Sequence, residues 1–160
     1  MFDKFFPDRY VASTYVIDFE GLYKEGVRGL IFDIDNTLVP HGAPADERAR
    51  ALFKRLKSIG FRCCLISNNQ KPRVEMFNKD IQVDYVYNAH KPSIRNYLKA
   101  MEIMGTDRDS TVFIGDQLFT DVWGSKTCRD PEYSGKTDTS EGGNPDCFKT
   151  LSGKNRAAFL

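Results

Sequence analysis

The stretch Phe32-Asp33-Ile34-Asp35-Asn36-Thr37-Leu38 is where residue type and spacing could do chemistry. Two carboxylates at i and i+2, on a tight loop directly after an apolar run, can approach one phosphoryl group from different sides. One can attack phosphorus. The other can protonate the leaving oxygen and then deprotonate the water that hydrolyses the aspartyl-phosphate. Taken alone, Asp-x-Asp is also what many solvated turns look like. A calcium loop does not fit, because it needs glycine at its sixth position, where Leu38 stands.

Three further places add to this pair. Ser67 follows a second apolar run and offers its hydroxyl, with the backbone N–H of its neighbour Asn68, to a phosphoryl oxygen; singly it also reads as a helix N-cap. Lys91 precedes Pro92, which fixes the entry to the next helix and can hold the ammonium near the site; singly it reads as a solvated lysine. Asp116 follows Ile114-Gly115, and Asp121 lies about a helical turn further on; two more acids there suit a hard cation that takes oxygen ligands. His41, just past the first loop, reads either as a substrate contact or as a solvated loop histidine.

The elements that must position these residues are visible as apolar runs separated by helical patterns, the sequence form of a parallel sheet wrapped by helices. The runs are Gly29 to Phe32, Phe61 to Ile66, Asp84 to Tyr87 and Thr111 to Ile114. Each delivers polar residues at its carboxyl end, the edge where open parallel sheets bind ligands. Ala49, Leu52, Phe53 and Leu56 make a helical stripe within Ala45 to Ile59, stopped by Gly60. Ile94, Tyr97, Leu98 and Met101 make a second, ending before Gly105, and Pro72 to Phe77 predicts a shorter helix.

Composition bounds the rest. The chain has 160 residues, enough for one domain with a proper core. A net charge of +1 gives no basic stripe for nucleic acid. No apolar run approaches the roughly 20 residues of a spanning helix, and Asp3, Pro7 and Asp8 near the start are unlike a signal peptide. A cytoplasmic protein is expected, with Cys63, Cys64, Cys128 and Cys147 as reduced thiols.

Taken together these residues match, in order, the four motifs of the haloacid-dehalogenase (HAD) superfamily. More narrowly, the chain over roughly residues 5 to 124 resembles its YqeG-type phosphatases. That likeness rests on Pro7-Asp8-Arg9-Tyr10-Val11 with Ser13 and Tyr15, on Gly29 to Pro40, on Ser67-Asn68-Asn69, on Ala89-His90-Lys91-Pro92 and on Gly115 to Gly124. The resemblance implies a three-layer, Rossmann-like α/β fold with a parallel sheet, and a Mg²⁺-dependent phosphomonoester hydrolase working through an aspartyl-phosphate. It implies Asp33 as nucleophile and Asp35 as acid and base. Mg²⁺ would sit on Asp33, Asp116 and the backbone carbonyl of Asp35, with Asp121 supporting the metal or orienting Lys91. Ser67 and Lys91 would bind phosphoryl oxygens beside Asn68, and Thr37 would brace the nucleophile loop. An acid at Asp35 favours prompt hydrolysis, whereas the superfamily's ion pumps carry threonine there.

The intervals from Asp33 to Ser67 and from Ser67 to Lys91 each have room for one helix and one strand, so no cap domain is expected. An open site suits a phosphate on something large. The family's eukaryotic relatives imply a lipid, phosphatidylglycerophosphate, met at the inner face of the membrane. A soluble phosphomonoester and an inactive fragment are the alternatives. Phe2, Phe5 and Phe6 with Lys4 could dip into a bilayer surface or pack on the domain. The oligomeric state is not legible.

After Trp123 the composition turns to Gly, Ser, Thr, Asp and Lys without a period of 2 or 3.6, so the division expected is a phosphatase domain over 1–124 and an atypical tail over 125–160. That tail is expected to be irregular, disordered or the product of a shifted reading frame. Synonymous codons for Asp130 to Asp138, read one base downstream, give Ile-Arg-Ser-Ile-Leu-Val-Lys-Pro, a strand and a turn.

Overall fold

The computed structural model describes residues 9–10, 13–91, 93–115 and 157–159, with side chains for all but the first and last of these segments. Six strands form one sheet: β1 (Arg9–Tyr10), β2 (Gly29–Phe32), β3 (Arg62–Ile66), β4 (Asp84–Val86), β5 (Thr111–Gly115) and β6 (Ala157–Phe159). Their order is β1-β6-β5-β2-β3-β4, and every pairing is parallel. Among the described residues they are accompanied by a short 3-10 turn, Thr14–Val16, and by four α-helices: α1 (Phe19–Lys24), α2 (Glu47–Ile59), α3 (Lys71–Asn78) and α4 (Ile94–Met104). Of the tail expected to be irregular, the described residues are β6, lying between β1 and β5; the remainder is outside the described residues.

Side chains that alternate along the buried strands divide the core into two layers, as a two-residue period requires. Leu30, Phe32, Cys63, Leu65, Val112 and Ile114 face one side, joined there by Leu52, Phe53 and Leu56 of α2 and by Val74 and Phe77 of α3. Ile31, Cys64, Ile66 and Phe113 face the other, against Tyr97, Ala100, Met101 and Met104 of α4. The result is the expected three-layer α/β fold. Cys63 and Cys64 are free and buried, and burial pushes both thiols up to about 12, which makes them packing residues rather than nucleophiles. Cys128 and Cys147 lie outside the described residues.

Local chemistry sets the helix ends. The side chain of Asp46 accepts from the N–H of Ala49, so α2 starts at Glu47, two residues later than the apolar stripe suggests. It stops at Gly60, whose φ of +116° is left-handed; a Cβ there would also stand 2.9 Å from the Tyr23 hydroxyl. Between β2 and β3 lie the loop carrying Asp33 and Asp35 and then α2, and between β3 and β4 lies α3. No cap domain occupies either interval. Among the described residues no helix is long and apolar enough to cross a membrane.

The chain runs β2, β3, β4 outward in one direction and then returns to place β5 on the other side of β2. The crevice at such a reversal opens at the carboxyl ends of the two strands that flank it. Asp33 directly follows β2 there.

Candidate active site

Asp33 leaves β2 with its N–H still donating to the carbonyl of Ile114 at 2.9 Å, so the sheet fixes its backbone. The next residues fold into a tight turn: the N–H groups of Thr37 and Leu38 donate to the carbonyl of Ile34, and that of Asn36 to Val39. Asn36, between the two acids and the turn, has a φ of +60°, a conformation that asparagine tolerates better than most residues. The turn is bolted from outside. Thr14 Oγ1 donates to the carbonyl of Thr37 at 2.8 Å and the Tyr15 hydroxyl to the carbonyl of Leu38 at 2.6 Å.

β3 is followed at once by Ser67, which is buried with its hydroxyl accepting from the N–H of Asn69 at 3.1 Å. The Asn68 side-chain carbonyl accepts from the N–H of Lys91 at 2.7 Å and ties this loop to the one after β4. That later loop turns sharply, with Asn88 and His90 at positive φ and the N–H of Ser93 donating to the carbonyl of His90. It delivers Lys91 into the crevice, where Nζ stands 3.1 Å from Asp33 Oδ1 with both side chains almost wholly buried.

Asp35 is held by a different set of partners. Its Oδ1 accepts from Arg73 Nη2 at 2.7 Å and from the N–H of Gly42 at 2.8 Å; its Oδ2 accepts from Asn69 Nδ2 at 2.8 Å. Burial by itself would raise this carboxyl. The hydrogen bonds from Arg73 and Gly42, then the charges of Arg73 and His41, outweigh it and hold Asp35 below the ordinary carboxylate range. His41 is largely exposed, its Nδ1 3.9 Å from Asp35 Oδ1.

The structure therefore brings together Asp33, Asp35, Ser67 and Lys91, all buried, with Thr37 buried behind them and Asn68 at the rim. Asp116 and Asp121 fall outside the described residues, as does Pro92. Among the described residues no group of three or more His, Cys, Asp or Glu forms a metal cluster. Sequence reasoning assigned no role to Asn69 or Arg73, nor to the bolts from Thr14 and Tyr15. For Arg73 the available signal was a basic first turn, Lys71-Pro72-Arg73, with no acid to balance it.

A buried carboxylate beside a buried ammonium at a sheet crevice, with a second carboxylate alongside, suits attack on a substrate that brings its own negative charge. Comparison with known proteins supplies a family and a fold. Residues 41–128 match the model of the haloacid dehalogenase-like hydrolases. The chain is 37% identical over 126 residues to the protein of Bacillus subtilis (strain 168) named probable phosphatase YqeG, covering 78% of this chain and 73% of that one. In fold it is similar to the cobalt-bound deoxy-D-mannose-octulosonate 8-phosphate phosphatase of Haemophilus influenzae. That match has a TM-score of 0.51 at 13% identity and covers 83% and 78% of the two chains. An uncharacterized protein from Listeria monocytogenes serotype 4b also has a TM-score of 0.51 at 13% identity, over 61% and 72%.

Proposed function

We propose, for a chain that belongs to the YqeG-type phosphatases of the haloacid-dehalogenase superfamily, that Asp33 is the nucleophile of a Mg²⁺-dependent phosphomonoester hydrolase. The observation that carries this reading is the buried contact of 3.1 Å between Asp33 and Lys91 at the β2/β5 crevice. An Asp33 oxygen attacks phosphorus while the bond from phosphorus to the leaving alcohol breaks, and Asp35 gives that alcohol its proton. The charge of the arriving phosphoryl group favours the protonated form of Asp35 that this step needs. Water then attacks the aspartyl-phosphate, Asp35 takes its proton, and inorganic phosphate leaves with Asp33 restored. Lys91 and the Ser67 hydroxyl neutralise and orient the phosphoryl oxygens, where most of the stabilisation in phosphoryl transfer lies.

The donor set fits Mg²⁺. Asp33 is a buried carboxylate, a hard oxygen donor of the kind the ion takes, and Lys91 engages its Oδ1. Asp33, the backbone carbonyl of Asp35, Asp116 and Asp121 would hold the ion. Bound there, it supplies positive charge against the phosphoryl oxygens.

Within phosphomonoesters the reading is a lipid substrate, phosphatidylglycerophosphate, met at the inner face of the membrane. It is supported by the family resemblance and by the absence of a cap in either interval after the reactive loop. The experiment is phosphate release from phosphatidylglycerophosphate in vesicles beside soluble sugar phosphates, nucleotides and phosphopeptides, with Mg²⁺ and with EDTA. Turnover of the lipid that stops in EDTA and in Asp33→Asn, and slows in Asp35→Asn, is expected. Preference for a soluble ester would replace the substrate, and full activity in EDTA would remove the metal. Near-normal turnover by Asp33→Asn would overturn the nucleophile.

A further inference from the structure

Arg73 is a poor investment for the fold. Its guanidinium is mostly buried, yet Nε and Nη1 find no acceptor among the described residues and only Nη2 is engaged, by Asp35. Buried donors of a cation without partners cost stability, and structural arginines normally spread their five donors over carbonyls and carboxylates. Its place adds to the cost. Arg73 sits in the first turn of α3, where the helix dipole favours an anion, and no acid shares that turn. A side chain that two independent terms disfavour, and whose one bond goes to a residue of the site, is accounted for by the site.

The geometry at Asp35 says what it does there. A carboxylate has about four in-plane acceptor positions. On Oδ1 both are taken, by Arg73 and by the N–H of Gly42; on Oδ2 one is taken, by Asn69. We propose that Arg73 is a positioning residue: with Gly42 it saturates Oδ1 of Asp35, so that Oδ2, steadied by Asn69, is the oxygen that passes the proton to the leaving group and takes it from water. The assignment rests on the reading of Asp35 as the acid and base. Without Arg73 the carboxylate can rotate, and either oxygen faces the leaving group at a poorer angle.

A leaving group that departs without a proton separates this role from general support of the site. kcat/KM would be measured for p-nitrophenyl phosphate, whose phenolate leaves unaided, and for glycerol phosphate, whose alkoxide needs the acid. Wild type, Arg73→Gln and Arg73→Lys would be compared, with folding checked by circular dichroism. Positioned acid catalysis is worth roughly 10²–10⁴-fold, so Arg73→Gln is expected to lose at least about tenfold more on the alkyl ester than on the aryl ester. Arg73→Lys, which restores the charge but not the planar fork, should recover part of that difference. Equal losses on both esters, or none on either, would overturn the assignment while leaving the hydrolase intact. So would failure of both variants to fold, which would make Arg73 structural. Wild-type protein inert towards every phosphomonoester would bring down the hydrolase reading, and Arg73 with it.

Discussion

Replacing Lys91 by Met should destabilise the protein through the charge it leaves behind. The two side chains of the Lys91–Asp33 pair are 2% and 6% exposed, with Nζ and Oδ1 3.1 Å apart. Methionine fills most of the lysine stem's volume, so packing changes little and the electrostatic cost stands nearly alone. Removing one partner of a buried pair costs about 3–5 kcal/mol, because the other charge remains desolvated without compensation. With a urea m-value of about 1–3 kcal/mol/M for small proteins, the unfolding midpoint should fall by about 2 M. The measurement is made without divalent cations, since an ion at Asp33 would replace the missing charge. Adding Asp33→Asn to Lys91→Met removes the stranded carboxylate, and the double variant should recover most of the loss, a coupling of about 2 kcal/mol or more. A loss below about 1 kcal/mol for Lys91→Met, or a double variant no more stable than the single, would refute the buried-pair reasoning.

Three further outcomes are expected. Tyr15, pushed up to about 12 from 10.0 chiefly by burial and then by Asp46, against the opposing charge of Arg48, contributes stability that is whole below pH 10. That stability is lost as the pH rises through about 12, because the unfolded chain gives up the phenolic proton first; Tyr15→Phe should flatten the melting temperature across that window. Gly60→Ala should cost about 1–3 kcal/mol in thermal or urea unfolding, since alanine meets both the φ of +116° and the Tyr23 hydroxyl at 2.9 Å; an unchanged midpoint would refute it. The shifted-frame reading of residues 125–160 is decided on the coding DNA: early stop codons in the frame one base downstream end it. If an Ile-Leu-Val strand is encoded there, restoring that frame should raise melting temperature and phosphatase rate together.

How far the sequence could be read depended on the range of the interaction involved. The strands were legible because their side chains alternate between two buried layers, which forces long apolar runs at Gly29–Phe32, Arg62–Ile66 and Thr111–Gly115. α2 and α4 were legible because each carries a full apolar stripe and ends at a left-handed glycine, Gly60 or Gly105. The short α1 was not: with Phe19 and Leu22 as its buried residues, it has too few turns to display a period. Asp33, Ser67 and Lys91 could be placed because each follows a strand and the parallel topology gathers strand ends. Arg73 could not. Its partner is 38 positions away, and no periodicity encodes that distance.

The bolts from Thr14 and Tyr15 make the opening motions of the reactive loop a property of the segment that precedes it. That segment is itself pinned by α1, whose Phe19 is fully buried with its ring 6.4 Å from Phe32 and 6.3 Å from Phe61. In amide hydrogen exchange the N–H groups of Asn36, Thr37 and Leu38, each bonded within the turn, should therefore open in one unit with residues 14–24. Loosening Phe19 would be heard first as faster exchange around Asp33 and Asp35. The rigidity of this loop is thus stored in the aromatic packing of Phe19 against Phe32 and Phe61.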